Sequence, residues 1–96
     1  MKIAVIPNTG KDGAKLLAES IVKTFPSNCF SVKDYLCEGD FDAAVVLGGD
    51  GTMLRAVKSL RNIPVIGINF GTLGYMAAAE KENALLAVKK VLEGNI

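Results

Sequence analysis

Histidine is absent from the 96 residues, and Cys29 and Cys37 are the two cysteines. A zinc site built on imidazole, or a Cys-His nucleophile, therefore cannot be assembled from this chain. Both cysteines read as packing residues rather than as a disulfide. Aromatic residues make up 6% of the sequence while 50% is hydrophobic, so the core is expected to consist of Ile, Val, Leu and Ala, as in a parallel sheet covered on both faces. Long apolar runs are missing: the longer ones, such as residues 43–47 and 63–68, fall far short of the ~20 residues a membrane helix requires. The N-terminus enters an alternating apolar run with one lysine and lacks the apolar core and small-residue cleavage site of a signal peptide. A cytoplasmic location is expected. Eleven basic and ten acidic side chains leave a formal charge of +1, with no basic block to recruit nucleic acid or an anionic membrane.

A chain of this length supports one domain, burying roughly 60–65% of the surface its unfolded form exposes. Residues 2–7 form a short apolar run that breaks at Asn8-Thr9-Gly10, the pattern of a buried strand entering a loop. Over residues 11–25, Ala14, Leu17, Ala18, Ile21, Val22 and Phe25 recur at helical spacing, and Pro26 stops the helix. Residues 29–36 alternate as a second strand near a sheet edge. Residues 41–47 form the clearest strand, since Ala43 to Leu47 leave no polar face. It runs into Gly48-Gly49-Asp50-Gly51. A helix is then expected over residues 52–61 with Met53, Leu54, Val57 and Leu60 inward and basic residues near its last turn. Asn62 and Pro64 end it. A further strand covers residues 65–69, and a last amphipathic helix covers residues 80–92 with Gly94 as its cap. Strands alternating with helices over short connections predict an α/β fold, a doubly wound parallel sheet in three layers of flavodoxin or Rossmann type with right-handed crossovers.

The chemistry concentrates in two glycine-rich loops, residues 48–52 and 69–74. Three glycines between a central strand and a helix remove the Cβ atoms that would hold a phosphate away, and a helix beginning near Thr52 aims N–H groups and the positive end of its dipole at the same place. The carboxyl end of a strand is also where open α/β sheets bind ligands. Asp50 is the odd member, because a carboxylate repels phosphate unless a metal ion intervenes or it accepts a proton during phosphoryl transfer. An isolated Asp-Gly would read as a helix cap or a turn. Its place between glycines at the end of a buried strand favours the role in transfer. Neither a G-x-x-x-x-G-K-[ST] P-loop nor a G-x-G-x-x-G fingerprint occurs, so whatever the chain binds, it uses a different loop.

Gly48-Gly49-Asp50-Gly51-Thr52, followed by Gly67-Ile68-Asn69-Phe70-Gly71-Thr72-Leu73-Gly74-Tyr75, resembles the N-terminal domain of NAD kinases. The first motif is shared with diacylglycerol and sphingoid lipid kinases and, more loosely, with phosphofructokinases; the second at this spacing is characteristic of NAD kinases. The similarity reaches back to Asn8-Thr9-Gly10-Lys11. The resemblance implies phosphorylation of the adenosine ribose 2′-hydroxyl of NAD by ATP, giving NADP, with a divalent metal ion such as magnesium on the phosphates. Asp50 matches the family's general base. Gly48, Gly49, Gly51, Thr52, Arg55, Asn69, Gly71 and Gly74 match nucleotide-contacting positions, although Arg55 on its own reads equally as a solvated helix charge and Asn69 as a turn former.

Two departures stand out. The segment Met76-Ala77-Ala78-Ala79-Glu80 differs from the family's usual continuation, so no contacts beyond Tyr75 carry over. The family also completes its NAD site with an Asn-Glu pair and other groups from a β-rich C-terminal domain, and no Asn-Glu dipeptide occurs here. The resemblance therefore implies that this chain is a fragment, catalytically silent by itself, of an enzyme that is oligomeric when complete. ATP and polyphosphate both remain as donors. The alternatives are a lipid kinase N-terminal domain, against which the second loop argues, and a non-catalytic flavodoxin-like or receiver-like binding module, although Pro7, Asn8 and Thr9 stand where a receiver carries acidic residues.

Overall fold

The computed structural model of the chain describes residues 1–8, 10, 13–32, 40–69, 79–80 and 83–94. They form β1 (Ile3–Pro7), α1 (Ala14–Thr24), β2 (Cys29–Ser31), β3 (Ala43–Gly48), α2 (Asp50–Ser59), β4 (Val65–Asn69), β5 (Ala79–Glu80) and α3 (Ala84–Leu92). All strand pairings are parallel, in the order β2-β1-β3-β4-β5. This is the flavodoxin-like arrangement of a doubly wound sheet.

Alternation along each strand divides the core into two layers. On one face Ile3 and Val5, Ala43, Val45 and Leu47, and Ile66 and Ile68 pack with Ala14, Ala18 and Ile21 of α1 and Ala84, Val88 and Val91 of α3. On the other face Ala4, Ile6 and Ala44 pack with Leu60, with Val32, Phe41, Ile63 and Val65 around them. There α2 sits close to β4, and a Cβ on Gly67 would lie 2.5 Å from the Met53 sulfur. The step from β1 to β2 runs opposite to that from β3 to β4, and α1 and α2 lie on opposite faces. Both crossovers therefore share one hand.

Several boundaries differ from those the sequence suggests. The first helix starts at Ala14 rather than residue 11 because Gly13, at its N-cap, has a left-handed backbone (φ 84°). The regular ladder of β2 ends at Ser31, although the Val32 N–H still bonds to the Val5 carbonyl at 2.9 Å. In α2 the inward positions are Met53, Ala56 and Leu60, whereas Leu54 and Val57 are exposed. Leu54 and Val57 are each one position round the helix from those inward residues, so their apolar character misleads about phase. The last helix begins at Ala84, not residue 80, because Ala79 and Glu80 pair with Ile68 and Asn69 as a fifth strand that their composition does not announce. Beyond the end of α3, Gly94 takes φ 87° and its N–H bonds to the Val91 carbonyl at 3.0 Å, the expected C-terminal glycine cap.

Cys29 is a free, fully buried thiol, and its burial pushes its pKa up to about 11. Desolvation disfavours the thiolate, consistent with a packing residue. Cys37 lies outside the described residues. Among the described residues no helix is long and apolar enough to cross a membrane.

Candidate functional site

The chain leaves β1 toward β2 by one face and leaves β3 toward β4 by the other, so the carboxyl ends of β1 and β3 flank the point where the winding reverses. Open α/β sheets form their ligand crevice there. The backbone N–H of Asn8 continues the ladder past β1 by bonding to the Leu47 carbonyl at 2.8 Å. On the far side of β3, Gly48 is in register with Asn69, which is 3% exposed at the end of β4. The strand ends thus bring Asn8, Gly48 and Asn69 to one rim, with Gly49 and α2 rising from its middle.

The helix begins at Asp50, two residues before the expected start at Thr52. Gly49 is the N-cap in an extended conformation (φ −98°, ψ −172°), and the Met53 N–H bonds to its carbonyl at 3.1 Å. The apparent glycine loop is thus one turn residue followed by the first helical turn. Since glycine has no side chain with which to cap, the first-turn N–H groups of Asp50, Gly51 and Thr52 receive no bond from the N-cap residue. Donors without a side-chain cap and the helix dipole together favour an anion.

The three glycines divide by what surrounds them. A Cβ on Gly48 would lie 2.9 Å from both the Cβ and Oγ1 of Thr52, so Gly48 is bare because the protein's own packing requires it. A Cβ on Gly49 or Gly51 would meet nothing within 4 Å. Neither has the positive φ that would call for glycine, a feature confined among the described residues to Gly13 and Gly94. Packing and backbone conformation thus leave these two positions open to any residue. Among the described residues, their bareness leaves free the space at the start of α2.

Thr52 is 5% exposed, and its hydroxyl accepts a 2.9 Å hydrogen bond from Asn8 Nδ2. Asn8 Oδ1 accepts from the Gly10 N–H at 3.0 Å, which fixes which end of the carboxamide faces Thr52. In the sequence Asn8 belongs to the Asn8-Thr9-Gly10-Lys11 stretch that extends the resemblance, without a site role of its own. Its place immediately after the first strand, at a fold's switch point, was the signal available. Arg55 lies on the exposed side of α2. Gly71 and Gly74 lie outside the described residues. Among the described residues no group of three or more His, Cys, Asp or Glu side chains could form a metal cage.

A doubly wound parallel sheet with a bare, uncapped helix N-terminus at its switch point defines an α/β domain of the nucleotide- or phosphate-binding class. The family model described as the ATP-NAD kinase N-terminal domain matches residues 8–96. The chain belongs to that family. It is 33% identical over 104 residues to an NAD kinase of Clostridium tetani, covering 96% of this chain and 38% of that protein. An NAD kinase of Thermococcus kodakarensis is 46% identical over 59 residues, 60% of this chain and 21% of the relative. Among solved structures, an NAD kinase from Archaeoglobus fulgidus in complex with ATP superposes with a TM-score of 0.76 at 32% identity, covering 98% of this chain and 38% of that one. A yeast NADH kinase complexed with NADH shares the fold, with a TM-score of 0.73 at 17% identity over 99% of this chain. The chain thus spans well under half the length of these relatives.

Proposed function

We propose that this chain is the phosphate-handling N-terminal domain of an NAD kinase, which transfers the γ-phosphoryl group of ATP to the 2′-hydroxyl of the adenosine ribose of NAD and yields NADP. The observation that carries the reading is the pair Gly49 and Gly51, bare over open space at an uncapped helix N-terminus. A polyphosphate chain is the kind of ligand that needs such an approach. Family membership, and a relative whose structure was solved with ATP, support the same reading.

In this mechanism the Asp50 carboxylate takes the proton of the 2′-hydroxyl as its oxygen attacks the γ-phosphorus. The new O–P bond forms while the bond to the β-phosphate bridging oxygen breaks, and ADP leaves. The backbone N–H groups of the first turn of α2 hold phosphate oxygens, and Gly49 and Gly51 allow that contact. Asn69, at the end of β4, borders the nucleotide together with Gly71 and Gly74, and Arg55 lends positive charge from α2. A divalent ion on the triphosphate supplies charge neutralisation. Positioning and electrostatics carry most of such a reaction. The rest of the NAD site belongs to a C-terminal domain beyond this chain, and the complete enzyme is a cytoplasmic homo-oligomer. Polyphosphate is the alternative donor.

The test is NADP formation from NAD, ATP and magnesium by the chain extended to the length of its relatives, with the 96-residue chain assayed beside it. NADP from the long form alone is expected. No NADP from either, in folded protein, would overturn the reading in favour of a lipid acceptor or a binding module.

A further inference from the structure

Asn8 stands where three parts of the rim meet. Its backbone N–H is bonded to the end of β3 through the Leu47 carbonyl, its Oδ1 is held by the Gly10 N–H, and its Nδ2 is given to Thr52 Oγ1, 44 residues away in sequence. Thr52 has little freedom at the receiving end. It is almost wholly buried and lies so close to Gly48 that no Cβ fits between them. Thr52 is also the third residue of α2, so whatever fixes its side chain fixes the turn that carries Asp50 and Gly51. A threonine hydroxyl at this helical position commonly serves the local backbone. Here it is tied instead to the loop after the first strand, and the tie spans the switch-point crevice.

We infer that Asn8 is a positioning residue for phosphoryl ligands: by holding the Thr52 hydroxyl, its carboxamide sets the first turn of α2 at the distance from β1 that the ligand requires. The inference rests on the nucleotide reading above. The carboxamide suits this because it donates to Thr52 of α2 while accepting from the Gly10 N–H of its own loop, which neither an ionised aspartate nor leucine can do.

The experiment is an NMR titration of the 96-residue chain with ATP and magnesium, comparing the unaltered protein with Asn8→Ala, Thr52→Val, the double variant and Thr52→Ser. Thr52→Val is nearly isosteric in a buried site, so it tests the bond even if Asn8→Ala fails to fold. Loss of one such bond should weaken ATP binding of the folded protein by about three- to tenfold. The double variant should be no weaker than the worse single one, because both changes remove the same bond. Thr52→Ser, which keeps the acceptor, should recover most of the affinity. Variants that melt earlier yet bind ATP with unaltered affinity would reduce the bond to a structural one and overturn the inference. Losses that multiply in the double variant would overturn it too, since the two residues would then be acting separately. If the unaltered protein binds no ATP, the nucleotide reading fails along with it, whereas binding that is indifferent to all variants sinks this inference alone.

Discussion

At the amino end of the sheet the chain closes on itself. The Lys2 ammonium lies 5.6 Å from the ring centroid of Phe30 and 5.4 Å from that of Phe41, and the rings are tilted at 57° to each other. Lys2 and Asp42 tie β1 to the approach of β3: the Lys2 N–H donates to the Asp42 carboxylate Oδ2 at 2.7 Å, and the Asp42 N–H donates to the Lys2 carbonyl at 2.8 Å. Cys29 is sealed nearby, its N–H on the Phe25 carbonyl at 2.9 Å. At the carboxyl end of the same strands, Gly49 and Gly51 face open space and α2 begins without a side-chain cap. Among the described residues, the amino end is tied by its own contacts, whereas the carboxyl end has an uncapped helix start and open space beside two glycines. Changes at the amino end should therefore alter stability and spare ligand binding, whereas changes at the carboxyl end should reach ligand binding.

The largest departure from this symmetry is expected from Asp50→Asn in the complete enzyme. The amide retains hydrogen bonding and cannot accept the proton, so turnover should fall by roughly 10²–10⁴-fold while the fold and much of the nucleotide binding persist. Steady-state NADP formation, set against the thermal midpoint, checks this. Turnover near that of the unaltered enzyme would remove Asp50 from the chemistry.

Cys29 supplies the next effect, from the opposite end. Its pKa rises from 9.0 to about 11 on folding, so between those values the folded state keeps a proton that the unfolded state has lost. Stability must then fall as pH rises from about 9 toward 11, and the full shift corresponds to on the order of 2–3 kcal/mol. Urea unfolding across that range should show the loss. In Cys29→Ala the curve should flatten, although the baseline stability will be lower for the lost packing.

What could be read from the sequence follows from how locally each feature is encoded. The strand over residues 65–69 needs only its own apolar run, and the structure places β4 at the same residues. The inward stripe of α1 is a local period and is found at Ala14, Ala18 and Ile21. β3 extends one residue beyond the apolar run because Gly48 joins the ladder through its backbone opposite Asn69, which hydrophobicity does not register. The phase of α2 was misread because Leu54 and Val57 are apolar yet exposed, while the small Ala56 faces inward. β5 depends wholly on an available edge of β4. The site divides the same way. The cluster of glycines with Asp50 is contiguous and visible, but the letters do not separate Gly48, whose bareness makes room for Thr52, from Gly49 and Gly51, beside which no described residue packs. The bond from Asn8 to Thr52 joins segments that only the fold brings together.

That division among the glycines gives a sharper contrast inside the carboxyl end itself. Gly48→Ala forces a Cβ against Thr52 at 2.9 Å and should destabilise the chain, by about 1–3 kcal/mol for overpacking of this kind. Gly51→Ala meets open space inside a helix. It should raise stability by about 0.5–1 kcal/mol and at the same time weaken ATP binding, because its methyl group occupies the approach. Denaturant midpoints and ATP titrations on both variants measure the two responses. A stabilised Gly51→Ala that binds ATP as before would show that the open space is not where the ligand lies.

The smallest effect belongs to the closed end. Lys2→Met keeps most of the aliphatic stem against Phe30 and Phe41 and removes the charge, so the expected loss is about 0.5–1 kcal/mol, the usual worth of an exposed cation–π contact. The bonds that the Lys2 backbone makes to Asp42 do not depend on the Lys2 side chain and should survive, which keeps β1 in register with β3. In a domain of this size the change should lower the melting midpoint by a few degrees. Raising salt should shrink the difference only modestly, since the ammonium is held against two rings at short range rather than through long-range charge. ATP affinity should match that of the unaltered chain, because the substitution lies at the opposite end of β1 from Asn8. A weakened affinity in the folded variant would mean that the two ends are mechanically coupled through β1 rather than independent, and the division of labour between them would have to be abandoned.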